Sequence, residues 1–251
     1  GEFYNQNMTF FLLNKNIIKN LRLVLNKCGI NVDRIILKPF VEGINFLSKN
    51  KNNKNFTTIS LEDKRINVSV FKNKSYVFSQ DFKFGTDLII QDISKLCSLK
   101  IEEVKLFLKK IDLRSILDTA KESYLDKIFF SSSPYRKIKH QLILDIIIAR
   151  LDELIEICYE KNSNLNFFRR SDNTLCISID NFKYFKNIKF ALQKNKLANI
   201  EFIFGENFDD GSLSSLNGAI ELISNGWEKE AISVIHSKKS LISTFFSRLF
   251  S

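Results

Sequence analysis

The sequence has 251 residues, enough to bury a substantial core in one large domain or two small ones. Hydrophobic residues make up 44% and charged residues 26%, which excludes both a disordered tail and a bundle of membrane spans. The net charge of +10 favours anionic partners (nucleic acid, anionic lipid headgroups or an acidic protein segment), although dispersed lysines coating a surface account for most of it.

In chain order, residues 8–13 read as a strand, and Asn16 to Lys27 as a helix with Ile17, Ile18, Leu21, Val24 and Leu25 on one face. Gly29 stops that helix as a C′ residue does. Val32–Leu37 reads as a second strand ending at Pro39, followed by a short helix over 41–48 and a polar loop over 49–55. Alternation over 57–61, 66–71 and 76–82 predicts a three-strand meander, with turns at 62–65 and 72–75. Helical periodicity returns over 86–97 and 101–110, and the longest helix is expected over 138–160. Strands over 174–179 and 200–204 bracket a helix over 182–194, and Asn-Gly pairs at 217–218 and 225–226 flank or interrupt the last core helix. Strands and helices in alternating blocks predict an α/β protein with a mixed sheet.

Cys28, Cys97, Cys158 and Cys176 are widely spaced among apolar neighbours, which points to neither a disulfide framework nor a zinc site. His140 and His236 have no companions for a metal site or a triad. The apolar stretch 10–13 is too short for a signal peptide, and no apolar run approaches the ~20 residues of a membrane span. Gly1 rather than Met opens the sequence, so an N-terminal portion is expected ahead of it.

The C-terminal stretch carries the sharpest pattern. At about 100° per residue, Leu241, Ile242, Phe245, Phe246, Leu249 and Phe250 fall in one half of a helical wheel, and Ser, Thr and Arg248 fill the other. Lys238 and Lys239 precede it, and no acidic residue follows Glu230. Large apolar residues opposite a polar face with basic flanks describe a helix lying in a membrane interface. Each large side chain contributes roughly 1.5–3 kcal/mol on burial, and each basic residue about 1 kcal/mol near an anionic leaflet. The competing arrangement, a terminal helix packed on its own core, is weakened by the linker-like run 233–240.

The order of segments resembles the C-terminal two-thirds of the FtsA family, actin-like proteins that tether the bacterial division ring to the membrane. The resemblance rests on Asn20-Leu21, Gly29–Ile36, Pro39, Gly85-Thr86-Asp87 with Gln91-Asp92-Ile93, Glu102-Glu103, and Ala149-Arg150 with Glu153-Leu154. The closing helix over 216–223, a linker and the basic amphipathic tail complete it. It implies an actin-like (ribonuclease H-like) ATPase fold, in part, with a C-terminal amphipathic membrane helix. Residues 1–55 would end the first lobe, and 56–98 with 171–230 would form the second-lobe sheet. Residues 99–170 would form an inserted helical subdomain, and 231–251 the linker and membrane helix.

The same resemblance sets this chain apart at its nucleotide loops. Actin-fold ATPases carry a glycine-rich turn between two strands, where backbone N–H groups approach phosphate closely. The aligned residues are Ser60, Leu61, Glu62, Asp63, Lys64, Arg65, Ile66 and Asn67, without glycine and with two carboxylates. The adenosine loop aligns with Ile177, Ser178, Ile179 and Asp180, again without glycine, and the Glu-x-x-Lys pair with Lys105 and Leu108. The chain is therefore expected neither to hydrolyse ATP nor to bind ATP with Mg²⁺ in the usual way, and to carry no catalytic or metal-ligating residue.

The family also implies a helical surface that receives the C-terminal peptide of the tubulin-like protein FtsZ. Arg150 and Glu153 match its pattern, while Arg136, Lys137 and Lys139 are candidates by charge and position, as readily explained as a solvated helix start. Arg169-Arg170 after Phe167-Phe168 lacks a nucleic-acid motif around it, and a loop anchored by two buried Phe is expected. Asp209-Asp210-Gly211 lacks further ligands at calcium spacing, and Ser131–Ser133 before Pro134 reads as a helix entry. The expected function is a division adaptor bridging FtsZ to anionic lipids on the cytoplasmic face of the bacterial membrane, at the division site, with possible actin-like filaments and no nucleic acid. The alternatives are an active nucleotide-binding ATPase and the actin-like scaffold of type IV pilus assembly.

Overall fold

The computed structural model describes residues 8–113, 116, 123–168, 173–180, 184, 185, 188, 200–202 and 211–226. The expected helix over 182–194 falls almost wholly outside them, as does the expected membrane helix.

Five strands form one mixed sheet: β1 (Phe56–Leu61), β2 (Ile66–Lys72), β3 (Ser75–Phe82), β4 (Thr174–Ile179) and β5 (Ile200–Phe202), in the order β3-β2-β1-β4-β5. The first three form an antiparallel meander, and β4 lies parallel to β1 with Phe56 opposite Thr174 and Leu61 opposite Ile179. The β2–β3 turn holds Asn73 at φ 49° and Lys74 at φ 64°. Two consecutive left-handed residues are what a tight hairpin matched to strand twist requires.

Side chains alternate across a strand, so each face of the sheet has its own core. One face carries Ile59, Leu61, Ile66, Val68, Ile177 and Ile179, packed with α3 (Asp87–Cys97), α4 (Ile101–Lys110) and α5 (His140–Ile155). A π-turn, Glu156–Glu160, continues α5, so the helical path covers nearly the predicted 138–160. Each large apolar side chain buried there contributes roughly 1.5–3 kcal/mol. The helical segment therefore shares a continuous core with the sheet.

The opposite face carries Phe56, Phe71 and Cys176 beneath α2 (Lys38–Lys49) and α6 (Gly211–Asn225). Pro39 sits in the first turn of α2, where its missing N–H costs nothing. The helices meet almost backbone to backbone: a Cβ on Gly218 would lie 1.8 Å from the Val41 carbonyl oxygen. The Asn217-Gly218 pair is thus interior to α6, a glycine of close approach rather than a turn.

α1 (Lys15–Lys27) forms where its periodicity predicts, capped by the Asn14 side chain and closed by Gly29 at φ +75°. The strands expected at 8–13 and 32–37 are not formed. Among the described residues neither segment has a ladder partner, and a strand without one leaves its backbone groups to water. Leu12 is 95% exposed. Phe11 is held to the core, stacked on Tyr76 at 4.3 Å between ring centroids, and Ile36 and Leu37 pack partly buried against the same cluster. The double-Phe anchor is also corrected: Phe168 packs partly buried against Phe78, but Phe167 is 68% exposed with the Lys72 ammonium over its ring.

Candidate functional site

The carboxyl ends of β1 and β4, which run side by side, gather the residues aligned with nucleotide loops. Ser60, Glu62, Ser178 and Asp180 project toward the α2 and α6 side, because Ser60 pairs with Ser178 and alternate residues share a face. Asn67, opposite Ser60 on β2, joins that face. Ile179 does not, being buried in the other core. Asp63 and Lys64 lie in the turn between β1 and β2.

This face is held by hydrogen bonds within the protein. Asn67 Nδ2 donates to Asp81 Oδ1 at 2.8 Å and to Ser79 Oγ at 2.9 Å, while Asn67 Oδ1 accepts from Ser69 Oγ at 2.6 Å. The turn over 62–65 is equally engaged. Glu62 N donates to Arg65 O, while Thr86 N and Asp87 N donate to the carbonyls of Glu62 and Asp63 at 3.0 and 2.9 Å. Gly85 permits this clasp, since a Cβ there would lie 2.1 Å from Glu62 O. No residue from 60 to 67 has positive φ. The turn presents the Glu62 and Asp63 carbonyls to Thr86 and Asp87, and the Glu62 carboxylate to the cluster.

Lys38, at the head of α2, occupies the centre. Its Nζ lies 2.7 Å from Asp180 Oδ2, 3.0 Å from Glu62 Oε1 and 3.6 Å from Glu42 Oε1. Arg65 adds two hydrogen bonds to Glu62, at 3.1 and 2.9 Å. Burial alone would lower the Lys38 pKa, but its bonds to Asp180 and Glu62 and the nearby Glu42 charge outweigh burial and hold the ammonium above its ordinary range. Glu42 is 3% exposed, and burial pushes its carboxyl up to about 7 despite the pull of Lys38 and a hydrogen bond from Ser215 Oγ at 3.2 Å. Burial also works to raise the Glu62 pKa, yet the bonds from Arg65 and Lys38 leave it lowered. Two buried oxygens near the cluster, Ser60 Oγ and Asp180 Oδ1, have no hydrogen-bond partner among the described residues. Three carboxylates, Glu42, Glu62 and Asp180, thus stand against the two cations Lys38 and Arg65.

Sequence reasoning missed Lys38 and Glu42 as members of this site. The available signal was Lys38-Pro39-x-x-Glu42, a proline at a helix start with a Lys–Glu pair four residues apart.

The candidates for an acidic peptide are not brought together. Arg150 is committed inside the helical segment, with Nε 2.5 Å from Asp92 Oδ2 on α3 and Nη1 2.6 Å from Glu153 Oε2. Arg136, Lys137 and Lys139 are exposed just ahead of α5, about 15 Å along the helix from Arg150 at 1.5 Å per residue. Tyr135 and Leu142, which flank these cations in sequence, are exposed, and Lys127 lies over the Tyr135 ring. Ser131–Ser133 prove to be a cradle for the Glu103 carboxylate. Lys238, Lys239, Leu241, Ile242, Phe245, Phe246, Arg248, Leu249 and Phe250 lie outside the described residues. No helix among the described residues is long and apolar enough to cross a membrane.

No protein-family model matches the chain. Over 147 residues, 59% of the chain, it is 24% identical to the cell division protein FtsA of Bacillus subtilis (strain 168), and the match spans 33% of that protein. Among solved structures it is similar to MreB5 of Spiroplasma citri bound to AMPPNP, with a TM-score of 0.59 and 12% identity over 84% of this chain and 65% of that one. The ethanolamine utilization protein EutJ of Carboxydothermus hydrogenoformans gives a TM-score of 0.55 at 9% identity, covering 82% of this chain and 61% of that one. The mixed sheet, its parallel β1–β4 pair and these likenesses agree: the chain has the actin-like fold.

Proposed function

We propose that this chain is an actin-like adaptor of cell division that joins the C-terminal peptide of FtsZ to the cytoplasmic face of the bacterial membrane, without ATPase activity. The observation that carries the reading is the 147-residue match to a cell division FtsA, which coincides with the actin-like fold. The absence of nucleotide chemistry is supported by the ion-paired loop ends, where Lys38 donates to both Glu62 and Asp180. In this reading Lys238, Lys239, Arg248 and the apolar face from Leu241 to Phe250 bind anionic lipid, reinforced by avidity if copies of the chain assemble. Arg136, Lys137 and Lys139 meet acidic residues of the FtsZ peptide, with Arg150 and Glu153 shaping the helix beneath.

A second reading, a nucleotide-binding actin-like protein, is favoured by the likeness to MreB5, whose structure contains AMPPNP. Flotation with anionic liposomes tests the first, using FtsZ and either the full chain or a chain ending at Ser237. FtsZ should float only with the full chain. If the chain floats without FtsZ, the division role falls; if the full chain does not float, the membrane role falls. Calorimetry with Mg·ATP separates the second reading, since a tight 1:1 complex would establish it.

A further inference from the structure

We propose that Lys38 is a resident counter-ion, a cation covalently attached to the protein that holds the site in one arrangement without a diffusible ligand. The inference rests on the reading of a nucleotide-independent adaptor and adds how the site is kept closed.

Three separate pieces of chain end at the Lys38 ammonium. Glu62 closes β1 and opens the turn to β2, Asp180 follows β4, and Glu42 is one turn along α2, where Ser215 ties it to α6. Three carboxylates this close repel one another strongly unless a cation stands between them or protons neutralise them. In a site regulated by a ligand, that cation arrives and departs with the ligand. Here it cannot depart, because it is the side chain of a residue fixed by Pro39 and the first turn of α2. The backbone repeats the arrangement: Asp180 N donates to Leu61 O, and Thr86 and Asp87 clasp Glu62 and Asp63. These amides report whether the loop ends are joined.

The charged groups facing the ammonium among the described residues are Glu42 from α2, Glu62 after β1 and Asp180 after β4, with Arg65 on the far side of Glu62. Replacing Lys38 by Met keeps the stem and removes the charge. The variant should lose protection mostly at high pH, because at low pH the stranded carboxylates take up protons and stop repelling.

The test is amide hydrogen exchange on the full chain, comparing wild type, Lys38→Met and Lys38→Arg between pH 5.5 and 8 after correction for intrinsic rates. In Lys38→Met, exchange at Thr86, Asp87 and Asp180 should rise at least tenfold at pH 8 and by much less at pH 5.5. Lys38→Arg should recover most of the protection. Unchanged exchange in a folded Lys38→Met protein, or a rise independent of pH, would overturn the counter-ion. If Lys38→Met does not fold, Asp180→Asn removes the charge of one arm and should raise exchange at the amide of position 180; no rise there overturns the proposal equally. Adding Mg·ATP to the wild type gives a separate readout. Greater protection with the nucleotide would refute the nucleotide-independent reading, whatever the Lys38 variants do.

Discussion

The Nζ of Lys38 and Oδ2 of Asp180, 142 positions apart in sequence, meet at 2.7 Å. That contact joins the head of α2 to the residue that follows β4. The charge balance around it makes the neighbouring carboxylates unequal. Glu62 stays ionised with two cationic partners, whereas Glu42 takes up its proton near neutrality.

Glu42 should impose a pH dependence on stability. Its folded pKa of about 7 exceeds the unfolded value of 4.5, so the folded state binds the proton more tightly. The Glu42 contribution to stability is then fully present below pH 4.5 and is lost as pH rises through 7, by up to about 3 kcal/mol. Glu42→Gln keeps an acceptor for Ser215 and removes the titration. Urea unfolding should find the variant at least as stable as wild type at pH 8, with the difference vanishing toward pH 4.5. A variant less stable at pH 8 would mean that attraction to Lys38 outweighs the cost of burial.

Glu103 should act with the opposite sign. Its Oε1 accepts from Ser132 N at 2.7 Å, Ser133 N at 3.0 Å and Ser131 Oγ at 3.3 Å, and its Oε2 from Ser133 Oγ and Lys100 N. Burial would raise its pKa, but these donors hold it at about 2, below the ordinary 4.5. Its contribution is present above pH 4.5 and is lost as pH falls toward 2. Glu103→Gln sets an amide N–H₂ against donors and should cost about 3 kcal/mol at pH 7, narrowing toward pH 2 in the same assay.

Gly218→Ala tests the contact between α6 and α2. The added methyl would meet the Val41 carbonyl at 1.8 Å and the Asn45 amide at 3.2 Å, both backbone. Side-chain rearrangement cannot relieve such a clash, so the helices must part. A loss of about 3 kcal/mol or more in thermal or urea unfolding is expected. A change below about 0.5 kcal/mol would show that the helices slide freely.

Thiol labelling should divide the cysteines one to three. Cys28 is exposed, whereas Cys97, Cys158 and Cys176 are buried. Burial pushes the Cys158 thiol up to about 12 and raises that of Cys97, so neither offers a thiolate near neutrality. A thiol reagent at pH 7.5 should modify one site in the native protein and four in denaturant, with mass spectrometry placing the first at Cys28.

The meander over β1–β3 and the helices α1–α5 were legible because each carries its own period and stop signals, such as the Asn73-Lys74 turn and Gly29. The segments 8–13 and 32–37 have strand composition, but composition supplies no partner, and pairing is what makes a strand. Half of the site was legible through the lost glycines at 60–67 and 177–180. The other half was not, because Lys38 lies far from both loops in sequence and reveals its role only when β4 is placed beside β1. Glu103 was hidden similarly: an acidic residue near a helix start is ordinary, and its serine cradle lies some 30 positions away.

The placement of β4 has a consequence for the order in which the chain can fold. Asn173, just ahead of β4, donates to Thr57 on β1 across 116 positions, and α3, α4 and α5 fall between them. The meander closes through short turns and can form early, while the parallel partner of β1 waits until the intervening helices have been gathered in. During that interval the outer edge of β1 is an unpaired row of N–H and C=O groups, open to a strand of another chain. The helical segment thus sets the pace of sheet completion, and mutations that loosen its core should first show themselves as aggregation of slowly folding chains.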